Sequence, residues 1–399
     1  LMLAPDGDTI SAGVALHAEN SDIADLLDFV AETDLEDVQG SFQAADLSVT
    51  ANAKSLRTLL QSLEMQFALF GAALSYGNAE GERPVEFTLD TFELIFPASA
   101  EARVKARGTL LREAFTLELT GGTFVQNYID RKWPLDLKAT GGGALLTVSG
   151  IVGRPKAGAR TELAFSLEGE EFGGLAPWIG ADPNADLPYK IAGQAIAAED
   201  VTKINLEEVR IGNTAFSGEL GAREEAGKSI KTIQLAFGEI SPGELSSLFP
   251  EAPEEAKPDG PSRDLTLDVP ILPQGIQLID SDLELTIDRI RLQPQDITGF
   301  SFKSSIRDGR MESSPLQASF AGARVTGSLA ADLRGELPGF DASLRTANVD
   351  IGGLLAQLGV AEGFELSAGQ LDLALKLRGQ TPRSILRNSE VTAGIADGL

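Results

Sequence analysis

Period-two alternation runs through nearly the whole chain and constrains its fold more than any other feature. Val85, Phe87 and Leu89 alternate with Glu86, Thr88 and Asp90, and Phe92, Leu94 and Phe96 follow. The pattern returns at Phe115, Leu117 and Leu119, at Leu163, Phe165 and Leu167, and at Ile233, Leu235 and Phe237. Further copies are Leu283, Leu285 and Ile287, then Val325, Gly327 and Leu329, then Leu371, Leu373, Leu375 and Leu377. Such spacing makes strands with one apolar face and one wet face. Turn signals at Gly121-Gly122, Gly141-Gly142-Gly143, Asp308-Gly309 and Pro338-Gly339 separate them. Short connections of this kind favour antiparallel neighbours over parallel units with helical crossovers. The class expected is mainly β.

Helical spacing is rare and recurs in similar copies. Ile23, Leu26, Leu27 and Val30 fall at i, i+3, i+4 and i+7 behind the cap candidates Ser21 and Asp22. Ile351, Leu354, Leu355 and Leu358 repeat that spacing behind Asp350, and Phe172, Leu175, Ala176 and Ile179 make a third copy. A weaker fourth, Leu245, Leu248 and Phe249, enters through Ser241-Pro242. A second helical pattern at Leu56, Leu59, Leu60 and Leu63 is answered by Ile385-Leu386 after Thr381-Pro382. Residues 13–71 and 342–399 therefore read as two copies of one strand–helix–strand–helix–strand unit, with Leu26 and Leu354 expected at equivalent buried places.

A glycine-framed element also repeats. The run from Gly212 through Phe216, Gly218 and Leu220 parallels the run from Gly322 through Val325, Gly327 and Leu329, with a looser copy at Gly143 to Gly150. Neither run has the strand–loop–helix context of a phosphate cradle. Glycine inside a strand marks a bulge, a bend or a close backbone approach, and repeated bends would curl a sheet. Residues 250–263 hold four prolines and three glutamates without an apolar run, and read as a solvated surface linker. The expected organisation is a β-groove repeat with two short helices over 1–78, a β-groove segment over 79–249, the linker 250–263, and a second β-groove segment over 264–399.

Residue inventory removes most chemistry. The chain has no Cys, which excludes disulfides, thiolate metal sites and cysteine nucleophiles. Its one His, His17, stands two residues from Glu19 on an alternating strand, with no nucleophile signature nearby, and reads as a polar strand residue facing water. The acidic pairs Glu170-Glu171, Glu207-Glu208, Glu224-Glu225 and Glu254-Glu255 flank turns or lie in the linker, as solvated charge does. Asp6-Gly7-Asp8 and the run from Asp182 to Asp186 lack the full spacing of a calcium loop. A net charge of −26 opposes a nucleic-acid partner and a basic membrane-docking patch. The aromatic set is 19 Phe against 3 Tyr and 2 Trp, poor in the amphipathic platforms of glycan and base binders. No enzyme and no cofactor are expected. No run reaches the ~18 apolar residues of a bilayer span, and the opening at Leu1 has no signal-peptide pattern, so the chain is expected to be a fragment with any anchor outside it.

What remains is an unusual amount of one-sided sheet, whose apolar face must be covered by something. Two architectures answer that demand: a sandwich of two sheets, or one sheet curled into a greasy trough.

The order of motifs along the chain resembles the periplasmic part of the AsmA family. The resemblance runs through Trp133-Pro134-Leu135-Asp136-Leu137, Gly141-Gly142-Gly143, Leu146-Thr147-Val148-Ser149-Gly150 and Phe172-Gly173-Gly174-Leu175. It continues through Leu187-Pro188-Tyr189, Val209-Arg210-Ile211-Gly212-Asn213, Ile287-Asp288-Arg289-Ile290, Asp308-Gly309-Arg310-Met311, Asp350-Ile351-Gly352-Gly353 and Leu375-Lys376-Leu377-Arg378-Gly379. It covers most of residues 100–399, with 13–71 as an additional repeat. The resemblance implies an elongated, curled antiparallel β-sheet (a repeating β-groove) with a few short amphipathic helices. About 20–28 strands at ~4.8 Å spacing would extend roughly 95–135 Å.

It further implies a periplasmic protein anchored to the inner membrane by a segment outside this chain, carrying phospholipid acyl chains toward the outer membrane and supporting outer-membrane integrity. The inner and outer membranes would be reached through parts outside the chain, and an outer-membrane protein is a possible partner. The rival expectation is an outer-membrane assembly factor similar to TamB-like relatives, whose strand edges template partner strands; a glycan-binding β-protein is disfavoured by having only Trp133 and Trp178. For a lipid groove, the mid-strand positions on the apolar phase are the lining candidates: Phe87, Leu89, Phe115, Leu117, Phe165, Leu285, Ile287, Leu373 and Leu375.

Overall fold

The computed structural model describes residues 2–6, 9–23, 38–54, 58, 62–76, 85–110, 113–123, 126, 131–153, 159–175, 187–198, 201–225, 227–241, 279–292, 296–320, 323–335, 337–350, 367–379, 381, 384 and 388–398. These residues form twenty-one strands, all but one of the described neighbouring pairs antiparallel, with one four-residue helix, α1 (Phe172–Leu175). The other expected helices fall almost wholly outside the described residues, as do Leu26 and Leu354.

The chain divides into two compact units, Leu1–Ala181 with Ala192–Glu199, and Asp182–Ile191 with Asp200–Leu399. Unit 1 holds β1 (Met2–Asp6), β2 (Thr9–Asp22), β3 (Val38–Ala53), β4 (Leu63–Tyr76), β5 (Val85–Phe96), β6 (Ala102–Leu110), β7 (Glu113–Gly121), β8 (Lys132–Gly141), β9 (Ala144–Gly153) and β10 (Thr161–Gly169). Each pairs antiparallel with the next, a plain meander. The strand β11 (Tyr189–Ala197) is divided between the units.

Unit 2 holds β12 (Val201–Ile211), β13 (Thr214–Glu225), β14 (Lys228–Ile240), β15 (Ser281–Ile290), β16 (Ile297–Arg307), β17 (Arg310–Phe320), β18 (Ala323–Asp332), β19 (Gly339–Asp350), β20 (Ser367–Arg378) and β21 (Ser389–Gly398). It too is a meander, with one departure: β14 and β15 run parallel, Leu235 opposite Leu285. Parallel neighbours need a crossover of a dozen residues or more to bring the chain back to the same end. The sequence between β14 and β15, residues 241–280, includes the Pro- and Glu-rich stretch 250–263 and lies almost wholly outside the described residues.

Charge staples the parallel joint. Asp282 on β15 accepts hydrogen bonds from Arg307 at 2.7 Å and from Arg223 on β13 at 2.8 Å, so the contact from β13 reaches over β14. Lys228 donates to Asp308 at 2.7 Å and stands 3.6 Å from Asp280. Burial pushes the Asp282 carboxyl up, but the two guanidinium groups outweigh it and hold the group below the usual carboxylate range.

Glycine permits close approach between strands. A Cβ at Gly108 would lie 1.8 Å from the Thr88 carbonyl oxygen on β5. The repeated glycine-framed elements share one geometry: a Cβ at Gly218 would meet Gln234 O at 2.3 Å and Leu235 Cδ2 at 2.8 Å, and one at Gly327 would meet Ser343 O at 2.2 Å and Leu344 Cδ2 at 2.8 Å. In both, a leucine of the next strand lies over the glycine, so only a residue without a side chain lets the strands approach this closely.

Candidate functional site

In unit 1 the alternation of single strands becomes continuous across strands. One cross-strand row reads Leu16, Leu47, Phe67, Leu94, Val104, Leu119, Leu137, Val148 and Phe165, each directly opposite the next from β2 to β10. The neighbouring row reads Ala18, Ala45, Leu69, Phe92, Ala106, Leu117, Ala139, Leu146 and Leu167. Neither contains a polar side chain. Phe67 and Phe92 meet across them with ring centroids 5.9 Å apart. Few of these side chains are buried, and most are half-exposed. The central rows of a sandwich would be enclosed between two layers. Here they form an open apolar face.

A bulge keeps that face in phase. Leu89 and Phe92 are three residues apart and would lie on opposite sides of a regular strand. Register shifts between Leu89 and Thr91, so the strand gains a residue and both side chains reach the same cluster. That cluster, Ile23, Phe42, Ala45, Leu69, Ala72 and Leu74, is the best-buried part of unit 1, with Phe87, Leu89 and Phe92 packed against it.

Unit 2 repeats the arrangement with interruptions. One row joins Leu206, Gly218, Leu235, Leu285 and Phe302, and on later strands Leu316, Gly327, Leu344, Leu373 and Ala393. The adjacent row reads Ile204, Leu220, Ile233, Leu283, Ser304, Ser313, Leu329, Ala342, Leu375 and Val391. A third joins Val209, Phe216, Phe237, Ile287 and Phe300, the Phe216 and Phe237 rings stacking at 4.6 Å. Hydroxyls enter this face at Ser304, at Ser313 and, between Val325 and Leu371, at Thr346. Sequence inspection passed over them, though Phe300, Phe302, Ser304 and Ile306 show the serine in the apolar phase.

The opposite faces are polar and laced with ion pairs: Lys105 with Glu118 at 3.9 Å, Lys303 with Glu284 at 2.8 Å, Arg345 with Asp372 at 2.6 Å, and Lys203 with Glu219. His17 lies there as expected, exposed, its Nδ1 2.7 Å from Asp46 and its Nε2 3.2 Å from Glu19. Hydrogen bonding to Asp46, then to Glu19, raises its pKa. Cavities of about 410 Å³ and 660 Å³ lie between mixed rows on these faces: Ala15–Ser48–Gln66–Ile95 beside His17–Asp46–Ala68–Glu93, and Thr326–Arg345–Asp372–Gly394 beside Ser343–Ala374–Thr392. Among the described residues, no group of three or more His, Asp or Glu side chains is placed to hold a metal.

All nine lining candidates stand on apolar faces. Phe87, Leu89, Phe115, Leu117 and Phe165 belong to unit 1, and Leu285, Ile287, Leu373 and Leu375 to unit 2. Eight are half-buried, whereas Ile287, between Phe237 and Phe300, is 7% exposed. Comparison with family models, with curated proteins and with solved structures found no match to this chain.

Proposed function

We propose that this chain is a non-enzymatic lipid carrier whose apolar sheet faces hold phospholipid acyl chains. One observation carries the reading: rows of apolar side chains stay in register across nine strands of unit 1 and yet remain half-exposed. An acyl chain needs no specific contact, only removal from water, worth ~0.8 kcal/mol per buried methylene. A continuous greasy strip supplies that without a fixed station, which suits passage as well as binding. The AsmA-like motif order supports placing this carriage in the periplasm, between inner and outer membranes, with an inner-membrane anchor outside this chain.

The test is solvent extraction of protein purified without detergent, followed by mass spectrometry. Co-purifying phospholipid is expected, as is uptake of a fluorescent phospholipid from vesicles by delipidated protein. Protein that carries no lipid and takes none up would end the reading, and bound glycan would replace it.

A further inference from the structure

The apolar faces of the two units differ in one respect. The two central rows of unit 1 are hydrocarbon throughout, whereas unit 2 places Ser304 opposite Ser313 between Leu283 and Leu329. Both serines are buried, at 8% and 7% exposure. Ser313 Oγ accepts the Leu329 N–H at 2.7 Å. Ser304 Oγ has no hydrogen-bond partner.

The backbone at this point is also opened. Register shifts twice on β16, between Thr298 and Ser301 and between Ser301 and Ser304. It shifts again on β17 between Ser313 and Leu316, around Pro315, which has no N–H to give. A hydroxyl left unpartnered away from water is costly, and a methyl group would be cheaper there. The same-face neighbours Leu283 and Phe302 are only half-buried, so a ligand lying on the face can displace them to reach it.

We propose that Ser304 is a hydrogen-bonding station for the carbonyl at the head of an acyl chain, with its Oγ–H donating to the carbonyl oxygen. The station rests on the lipid-carrier reading and adds to it the part of the lipid that is recognised. On unit 2 the station fixes where the polar end of a bound chain comes to rest, whereas the two central rows of unit 1 are hydrocarbon throughout. A glycerol ester and a free fatty acid share this carbonyl, and the experiment separates them.

Binding of three probes to the full chain is measured for wild type and Ser304→Ala: a diacyl phosphatidylethanolamine, its dialkyl ether analogue with the same headgroup and chain lengths, and palmitate. The wild type is expected to hold the diacyl lipid about fivefold more tightly than the ether, the worth of one neutral hydrogen bond. Ser304→Ala should remove that preference without lowering the melting temperature, since it deletes a hydroxyl with no partner. If palmitate weakens on substitution and the diacyl lipid does not, the carbonyl recognised is that of a free acid. Wild type binding ester and ether equally, with palmitate unchanged by Ser304→Ala, overturns the station while leaving the carrier reading intact. Failure of the wild type to bind any probe overturns both.

Discussion

Leu285 and Ile287 are two residues apart on the same face of β15, and glutamate at each should give opposite results. Leu285 is half-buried between Leu235 and Phe302. A carboxylate there reaches water, so Leu285→Glu loses only part of a leucine's burial, about 1–1.5 kcal/mol. In a unit of this size that lowers the melting temperature by roughly 2–6 °C. Ile287, at 7% exposure between Phe237 and Phe300, has no such exit. Ile287→Glu buries an unpaired charge at a cost of several kcal/mol, a large share of a domain stability of roughly 5–15 kcal/mol. Thermal unfolding by circular dichroism, read beside phospholipid uptake, checks both. Leu285→Glu and Leu375→Glu, the latter on the adjacent row, should melt near wild type and lose lipid uptake, while Ile287→Glu should unfold. If Leu285→Glu unfolds with Ile287→Glu, the face is an enclosed core and the reasoning fails. A folded Leu285→Glu with undiminished uptake would remove the apolar face as the lipid surface.

Gly108→Ala should destabilise unit 1 by about 1–3 kcal/mol, because its Cβ would overlap the Thr88 carbonyl, whereas Gly238→Ala, with nothing within 4 Å, should be neutral or stabilising by up to ~1 kcal/mol; equal melting temperatures would contradict the close approach. The His17 imidazole should titrate above its usual value, so its stabilising contribution is complete below the unfolded pKa of about 6.5 and disappears as pH rises through the raised folded value. NMR of the chain's single histidine checks this, and Asp46→Asn should move the titration back down. Asp282 has the opposite sign: its lowered folded pKa gives stability present above the unfolded value near 4 and lost as pH falls through the folded one. Asp282→Asn should cost about 1 kcal/mol, discounted for partial exposure, and speed amide exchange in β14 and β15; exchange unchanged there would mean that the ion pairs do not hold the joint.

Alternation made the strands and their apolar phases legible, because a strand that is wet on one side must write its two faces into odd and even positions. Register was not legible. Nothing in Leu94 or Val104 alone says that they stand opposite each other; hairpin lengths and bulges set that, and the bulges appear in the sequence only as slips of phase, such as the three-residue step from Leu89 to Phe92. The glycine-framed repeats were readable as a bulge, a bend or a close approach because Gly218 and Gly327 interrupt otherwise apolar rows, and the structure shows the close approach. The parallel joint was not, because Ile233, Leu235 and Phe237 have the same pattern in either direction. The Pro- and Glu-rich stretch 250–263, expected to be a solvated linker, lies outside the described residues. Ser304 was visible in phase and overlooked for its chemistry, since a serine among leucines looks like an ordinary substitution until its partners are counted.

Charge and apolar face have to be considered together. A sheet that leaves its greasy side half-open offers copies of itself a surface to pair on, and such patches ordinarily lead to association. The polar faces carry salt bridges of both signs, but the whole chain is at −26, so two copies approaching face to face repel through a low-dielectric gap. The same field acts on a lipid. An anionic or zwitterionic headgroup finds no excess of cations to hold it, while its acyl chains find half-open apolar rows on each unit. Binding by the chains with the headgroup left in water is therefore the arrangement that this distribution of charge and apolar surface favours, and for a chain lying on unit 2 it leaves the carbonyl at its head as the polar group drawn in far enough to meet Ser304.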